Sequence, residues 1–342
     1  MTRSNMRPMT ALLAGAFCLA LSTVASAHPP AGTPEHEHAA DAPKVAEPTH
    51  ESERAKLARE EVRSAPREWL GWGKREVDPF DHIERPITNL SFHHPFIRNE
   101  VRAVFMHQNF PATSALGNGR LNVYGLQVSL ALTEDLQLTV FDGYADLHPR
   151  GLSNSRGFMD LAFGLKKVMY QSDDSIFAAG LGYETKTGAS DVFEGQGSGV
   201  FDVFGSYATT IDTEIGDFNL ILTGGFLIPT NSATDSRQFH YHVHVDTPIT
   251  DELSAMVELN GQRVLDEAHR DGRLGAPLGF EGFDYSNLGS NGTKNNDVVT
   301  LAAGLRYKLD DDISIGGAYE LSVTPREDIF QDRFTLDLIL RF

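Results

Sequence analysis

Three histidines spaced two residues apart form the most distinctive group of potential ligands in this chain. A strand of period two places His240, His242 and His244 on one face, with aromatic and branched residues on the other. A short turn follows, and the hairpin it predicts sets Glu258 beside His242 or His244, with Asn260 nearby. Imidazole and carboxylate groups bind divalent metals, and histidine also titrates near neutral pH. The row therefore predicts a metal site at His240, His242 and His244, a solute-binding station, a pH-sensitive gate, or a polar lining hydrogen-bonded to Glu258 and water.

The elements that must position this row are predicted to be strands throughout. Strict alternation of apolar and polar residues marks segments of about ten residues, and a tilted strand of about 9–11 residues can cross a bilayer. The predicted strands span residues 98–107, 120–132, 136–145, 158–170, 175–186, 199–211, 217–228, 238–249, 252–264, 297–309, 313–323 and 332–342. Their number is even, as in bacterial barrels. The sequence predicts an all-β fold, a transmembrane antiparallel up-and-down β-barrel of about 12 strands over residues 98–342.

The connections between these strands alternate strictly in length. The short ones are residues 133–135, 171–174, 212–216, 250–251 and 310–312. The long ones, rich in Gly, Asn, Pro and Ser, are residues 108–119, 146–157, 187–198, 229–237, 265–296 and 324–331. This parity is typical of outer-membrane barrels, which have short periplasmic turns and long extracellular loops. A soluble sandwich has no reason to keep it.

The period-two pattern also separates a lipid-facing side from a polar lumen. The lipid-facing set includes Tyr124, Leu126, Val128, Leu130, Phe177, Leu181, Tyr183, Phe218, Leu220, Leu222, Phe226, Ile228, Phe239, Tyr241, Val243, Val245, Leu301, Ala303, Leu305 and Tyr307. The charges predicted to face inward are Asp160, Lys166, Glu184, Lys186, Asp202, Asp246, Glu258, Arg306, Lys308, Glu320, Arg333, Asp337 and Arg341. Because acids and bases nearly balance in that list, we expect no strong ion selectivity.

The last strand carries a second pattern. Phe334, Leu336, Leu338 and Leu340 share one face, and the chain ends on Phe342. This segment resembles the C-terminal signal of bacterial outer-membrane β-barrels, which the barrel-assembly machinery reads. The resemblance implies an outer-membrane location and that machinery as a partner.

The N-terminal third is organised differently. Residues 1–27 have the basic, apolar and Ala-Ser-Ala regions of a cleaved secretory signal peptide, and they contain the chain's single cysteine, Cys18. Residues 28–65 are rich in His, Pro and Glu, which predicts a periplasmic linker with a short charged helix. Residues 66–97 contain several aromatic residues and prolines, which predicts an irregular segment docking at the periplasmic mouth of the barrel.

Four stretches of the chain resemble a narrower group of proteins. Residues 99–111, 278–284, 296–307 and 326–332 look like segments of an uncharacterised family of bacterial outer-membrane barrel proteins, loosely similar to transporter-like barrels of aromatic-degradation pathways. The similarity covers roughly residues 80–342. It implies a fold and a location, and no functional residue follows from it.

The longest loop, residues 265–296, is a candidate constriction. Loops of more than about 12–15 residues are usually functional or disordered. Phe280, Phe283 and Tyr285 alternate there with glycines, so we expect either a lid that folds inward or a surface cap without a gating role.

These features favour a channel or transporter that passes small solutes through a narrow polar lumen by steric and electrostatic sieving. The alternative is a closed barrel acting as a membrane anchor or periplasmic interaction platform. A third possibility is a lipid hydrolase, since Ser290-Asn-Gly resembles the outer-membrane phospholipase, although Leu288 stands where that family has a histidine. The expected partners are outer-membrane lipid and an unknown small solute, and the expected state is monomeric or weakly oligomeric. The net charge of −18 argues against nucleic acid, and no cofactor is predicted.

Overall fold

A computed structural model describes residues 78–342, except residues 89, 91, 92, 115, 215 and 272–278. The predicted signal peptide, the predicted linker and residues 66–77 lie outside the described residues. Within the described part of the chain, no helix is long and apolar enough to cross a membrane. Residues 78–341 belong to one compact unit.

The described chain consists of thirteen β-strands and one 3₁₀ turn, Ser190–Val192. The strands are β1 Glu100–Asn109, β2 Arg120–Thr133, β3 Leu136–His148, β4 Ser155–Phe158, β5 Ala162–Gln171, β6 Ser175–Glu184, β7 Val200–Thr213, β8 Gly216–Pro229, β9 Arg237–Pro248, β10 Leu253–Asp266, β11 Asp297–Lys308, β12 Ile313–Ser322 and β13 Asp332–Arg341.

The sheet closes on itself. Sequential strands pair antiparallel, and β13 pairs with β1 from Glu100 opposite Arg341 to Asn109 opposite Asp332. The four-residue strand β4 pairs only with β3, so twelve strands form the closed ring. The predicted all-β antiparallel barrel is confirmed.

One predicted strand, residues 158–170, is wrong as a continuous element. It is interrupted between β4 and β5, because the backbone there bonds to a loop. The Asp160 amide donates to Glu194 Oε2 at 3.0 Å, and the Leu161 amide donates to Thr187 Oγ1 at 3.3 Å. Alternation persists in the sequence across this break, so the pattern alone gave no sign of it.

The outer surface of the barrel is apolar and its interior is charged. The strands expose large apolar side chains such as Tyr124 (52%), Leu181 (51%) and Leu305 (51%), in agreement with the predicted lipid-facing set. Buried residues include Arg102, Arg306 and Arg333. This inversion of the soluble pattern is typical of a barrel in a bilayer, where the lipid face must be free of charge.

An inner segment, residues 78–99, runs inside the barrel. Lys166 of β5 donates to the His94 and Phe96 carbonyls at 2.7 Å, and Thr223 of β8 donates to the His93 carbonyl at 2.6 Å. Further contacts reach inward-facing side chains of β1, β2, β7, β9, β10, β11 and β13. Only a chain within the lumen can touch so many walls. The sequence predicts a segment docked at the periplasmic mouth. The described part of this segment instead extends beyond the mouth into the lumen.

Apolar packing fixes this position. Phe80, Ile83 and Phe96 of the inner segment are buried in one cluster with Ile176, Ala208 and Ile221. The last three are inward-facing residues of β6, β7 and β8, so this part of the lumen wall is apolar where the inner segment covers it.

The lipid-facing assignment can be tested near the middle of β13. Leu336 is 37% exposed and lies opposite Phe105, midway along β1. We expect Leu336→Arg to reduce the free energy of unfolding in lipid vesicles by about 2–4 kcal/mol, the cost of a charge at the bilayer midplane. Leu336→Ala should cost less, because it removes apolar area without adding charge. Equal losses in a urea titration of the two variants would contradict the assignment.

Candidate functional site

The inner segment is held in the lumen by an anchor on β10. Glu258, which is fully buried, points inward from the strand centre and accepts hydrogen bonds from the Ile87 amide at 2.7 Å and the Thr88 amide at 3.0 Å. Asn260, two residues along on the same face, donates to Thr88 Oγ1 at 2.8 Å. A buried carboxylate that accepts backbone N–H groups makes strong, charge-assisted hydrogen bonds. The wall thus binds the backbone of the inner segment.

The histidine row lies on the inward face of β9, as alternation predicts. His240 Nδ1 lies 3.0 Å from His242 Nε2, and His240 Nε2 lies 2.9 Å from Asp202 Oδ1. His242 Nδ1 lies 3.0 Å from Asn260 Oδ1. Both rings are buried, so each nitrogen contacts a protein partner instead of bulk water.

His244 carries the third ring of the row. The register places it directly opposite Glu258, which decides between the two positions the hairpin allowed. Its Nδ1 lies 3.2 Å from Glu258 Oε1 and its Nε2 lies 3.1 Å from Asp246 Oδ2. All six ring nitrogens of the row thus have protein partners, which is the arrangement of a hydrogen-bonded lining. The metal assignment of the row stays a prediction.

The charges predicted to face inward fall into three levels of exposure. Of the thirteen, Asp202 and Lys308 are half-buried, Glu184 and Lys186 are exposed, and nine are buried: Asp160, Lys166, Asp246, Glu258, Arg306, Glu320, Arg333, Asp337 and Arg341. Glu184 lines the internal cavity. Arg306 lies 3.0 Å from Asp337, and Arg333 lies 3.6 Å from Glu320. The burial of so many charges is possible because most of them meet a partner of opposite sign.

Sequence reasoning missed the charges nearest the start of β1. Arg85 of the inner segment pairs with Glu100, and Arg102 lies 2.8 Å from Asp337. Alternation within β1 places Glu100 and Arg102 on one face and gives the signal that would have found them. Arg85 carried no such signal, since it lies in no strand.

A part of the longest loop, residues 279–290, forms a lid at the extracellular end. Its Phe283 and Tyr285 are each 4% exposed, and Tyr285 Oη donates to the Val192 carbonyl at 2.6 Å. Buried Glu281 holds the lid together by accepting the Leu288 and Ser290 amides, each at 2.8 Å. The inward fold agrees with the constriction interpretation. Phe280, the third aromatic of the predicted cluster, packs half-buried against the same apolar core.

A cavity of about 150 Å³ lies between the inner segment and the lid. The inner segment contributes Leu90, His93 and His94, and the lid contributes residues 283–287. The walls of the cavity combine carboxylates with aromatic and apolar side chains: Asp160, Glu184, Glu194, Asp202, Phe141, Met159, Tyr183 and Phe204. The described parts of the inner segment and the lid therefore border a mixed polar and apolar cavity.

The C-terminal signal residues face outward or lie at the barrel end. Phe334, Leu336 and Leu338 are exposed on the outer face of β13, and Leu340 and Phe342 are half-buried. Their role in assembly stays a prediction.

The closed antiparallel sheet, with its apolar outer face and charged interior, defines the class of protein as a β-barrel of the outer-membrane type. The fold is similar to the crystal structure of the COG4313 outer membrane channel from Pseudomonas putida F1, with a TM-score of 0.52 and 12% identity, covering 78% of this chain and 100% of that one. The KdgM porin and the NanC porin match with TM-scores of 0.43 and 0.45 at 11% and 8% identity, covering 71% of this chain and 99% and 100% of theirs. No family model and no curated protein matches the chain.

The anchor on β10 can be tested by amide exchange. We expect Glu258→Gln to increase hydrogen exchange of the Ile87 and Thr88 amides by about tenfold, because a charge-assisted hydrogen bond contributes roughly 1.5–3 kcal/mol and the amide replaces it in part. Mass spectrometry of the refolded barrel gives the rates. The control is Glu252→Gln, the same change in an exposed periplasmic turn. No acceleration relative to this control would mean that Glu258 does not hold the segment.

The lid should open more readily as pH rises. Burial raises the pKa of Glu281 to about 7 from its ordinary 4.5, and the donors Ser236, Ser290 and Leu288 oppose that rise. A raised pKa in the closed state means that its protonated form favours closure, so this stabilisation is complete below about pH 4.5 and is lost by about pH 7.

Amide exchange at Leu288 and Ser290, corrected for intrinsic chemistry, should accelerate by about tenfold between pH 5.5 and 7.5, since each pKa unit corresponds to 1.4 kcal/mol. Glu281→Gln should abolish this dependence, and Glu267→Gln on the same loop should retain it. Corrected exchange that slows with rising pH would refute the assignment.

Proposed function

We propose that this protein is an outer-membrane channel for small solutes that is closed at rest by its inner segment. The observation that carries the proposal is the internal cavity of about 150 Å³, bounded by the inner segment on one side and the lid on the other. A barrel that served only as an anchor would have no need of a chamber between two separate closures. Passage through it would follow displacement of each closure.

The inner segment is suited to movement. None of the described residues from 78 to 99 belongs to a strand, so displacing the segment breaks no wall pairing. Besides its apolar packing, it is tied by polar side-chain contacts, such as those of Glu258 and Lys166 with backbone groups. Such contacts can be exchanged for water as the segment leaves. Residues 28–77 precede it in the mature chain and would connect it to the periplasm.

The chemistry of the cavity indicates how solutes would be selected. Its carboxylates and His93 would bind polar groups, while Phe141, Phe204 and Tyr285 would accept an apolar or aromatic body. Binding sites for small molecules usually combine an apolar lining with a few placed polar groups. We infer a small amphipathic solute and propose sieving by size and charge as the mechanism.

A closed anchor or interaction platform is the second candidate. The favouring observation is the network of buried ion pairs that joins the inner segment to the walls, including Arg85 with Glu100. Such a network leaves little of the periplasmic half open. In this reading the cavity would be a packing defect of the extracellular half. The third candidate, a lipid hydrolase, gains no support, because Ser290 is fully buried and lipid has no access to it.

The proposed setting follows from the barrel type. We infer export by the signal peptide, folding by the barrel-assembly machinery through the pattern that ends at Phe342, and residence in the outer membrane. Outer-membrane lipid would cover the apolar strand faces. The histidine row would line the path and contribute to a solute station.

Planar-bilayer recordings separate the candidates. We expect the mature protein to show rare, brief openings, and the variant lacking residues 28–97 to conduct in long steps, because the barrel wall does not need the inner segment for its pairing. Heat-modified migration on gels checks that both have folded. The channel proposal fails if the folded truncated barrel remains silent in several salts, and the anchor reading then stands.

A further inference from the structure

Three acidic side chains converge where the wall is interrupted. The acidic triad is Asp160 between β4 and β5, Glu184 at the end of β6, and Glu194 in the loop after the 3₁₀ turn. One carboxylate oxygen from each lies within 4.8 Å of the other two. All three residues line the cavity. They come from separate segments, so the approach is a product of the fold.

Glu194 has an unused oxygen in this site. The residue is 3% exposed, its Oε2 accepts the Asp160 amide at 3.0 Å, and its buried Oε1 has no hydrogen-bond partner among the described residues. A buried carboxylate oxygen without a partner costs free energy equal to its lost hydration. The orphan oxygen indicates that a ligand completes the site.

The charge of the triad is not paired with a lysine or arginine of the described residues. Within the described chain, none of the three carboxylates takes part in an ion pair. Lys166 donates to the backbone carbonyls of the inner segment, and Arg270 lies 3.3 Å from Asp235. Three carboxylates this close together, with no ion-pair partner among the described residues, would be neutralised by an external cation.

We propose that the acidic triad binds a divalent cation of the calcium class. Calcium takes six to eight oxygen ligands at about 2.3–2.6 Å, in flexible geometry, and carboxylates with water satisfy it. Ligand oxygens within 4.8 Å of one another suit that radius. Glu184 is exposed and lines the cavity, through which water would reach the cation. Zinc favours nitrogen and sulfur ligands, and magnesium demands a tighter octahedron, so neither fits this oxygen set as well.

The cation would fasten the lid as well as the wall. Phe193, adjacent to Glu194, accepts a hydrogen bond from Ser286 Oγ at 2.9 Å, and Val192 accepts one from Tyr285. Binding at the triad would therefore hold the interrupted wall, the loop of residues 185–199 and the lid in one arrangement. This site is independent of the proposed transport, since a closed barrel would bind the same ion.

Terbium luminescence tests the site in the full mature protein, folded in detergent. Tb³⁺ substitutes for calcium and is excited by nearby tyrosines, of which Tyr183 precedes Glu184. We expect saturable binding of one Tb³⁺ that calcium displaces, and calorimetry with calcium should give the same stoichiometry. Glu184→Gln and Glu194→Gln should each weaken binding by at least about tenfold, because calcium affinity follows the number of charged ligands. Glu134→Gln, in a periplasmic turn, is the matched control and should leave it unchanged.

Each alternative result would overturn the proposal. Absence of saturable Tb³⁺ and calcium binding by the folded wild type would do so, as would equal affinity in both triad variants and the control. Glu184→Asp guards against misfolding: it keeps the carboxylate and should bind more tightly than Glu184→Gln, while equal weakening in both would indicate a purely structural loss. Calcium binding that disappears in His240→Ala but not in Glu184→Gln would assign the cation to the histidine row instead.

Discussion

Pairing of buried charge inside the barrel is the constraint on which the rest of this structure depends. A strand in a bilayer must present apolar residues to lipid, so its charged residues can only turn inward. Twelve strands enclose a narrow lumen, where charges lie close to low-dielectric walls and are costly without partners. Arg102 and Arg306 both meet Asp337, and Arg333 meets Asp284. The pairing of charges thus determines the arrangement of the interior.

The inner segment completes this organisation. Arg85 gives Glu100 a partner, and the backbone amides of Ile87 and Thr88 satisfy Glu258. Without the segment these carboxylates would require water, which is what an open channel supplies. The same residues can therefore be satisfied in two ways, by the segment when the lumen is closed and by water when it is open. This exchange would keep the carboxylates of the proposed channel satisfied in both states.

The extracellular half is organised by apolar packing instead of charge pairing. There the lid and the loop of residues 185–199 pack an apolar core that includes Val192, Phe193, Tyr285 and Leu288. The cavity lies at the boundary between this core and the charged periplasmic half, and it inherits apolar walls from one and carboxylates from the other. Its lining is mixed because the cavity lies between the apolar core and the charged periplasmic half.

The sequence by itself determined the wall of this protein. Period-two alternation and the parity of turn lengths depend on residues close together in the chain, so they give the twelve strands, their outer faces and the pairing of Glu258 with the histidine row. Only the tertiary structure decided what fills the lumen inside this wall. The inner segment has no period, and its place depends on contacts such as Thr88 with Asn260, far apart in sequence. The interrupted strand and the acidic triad likewise arise from approach of distant loops, for which a local pattern carries no signal.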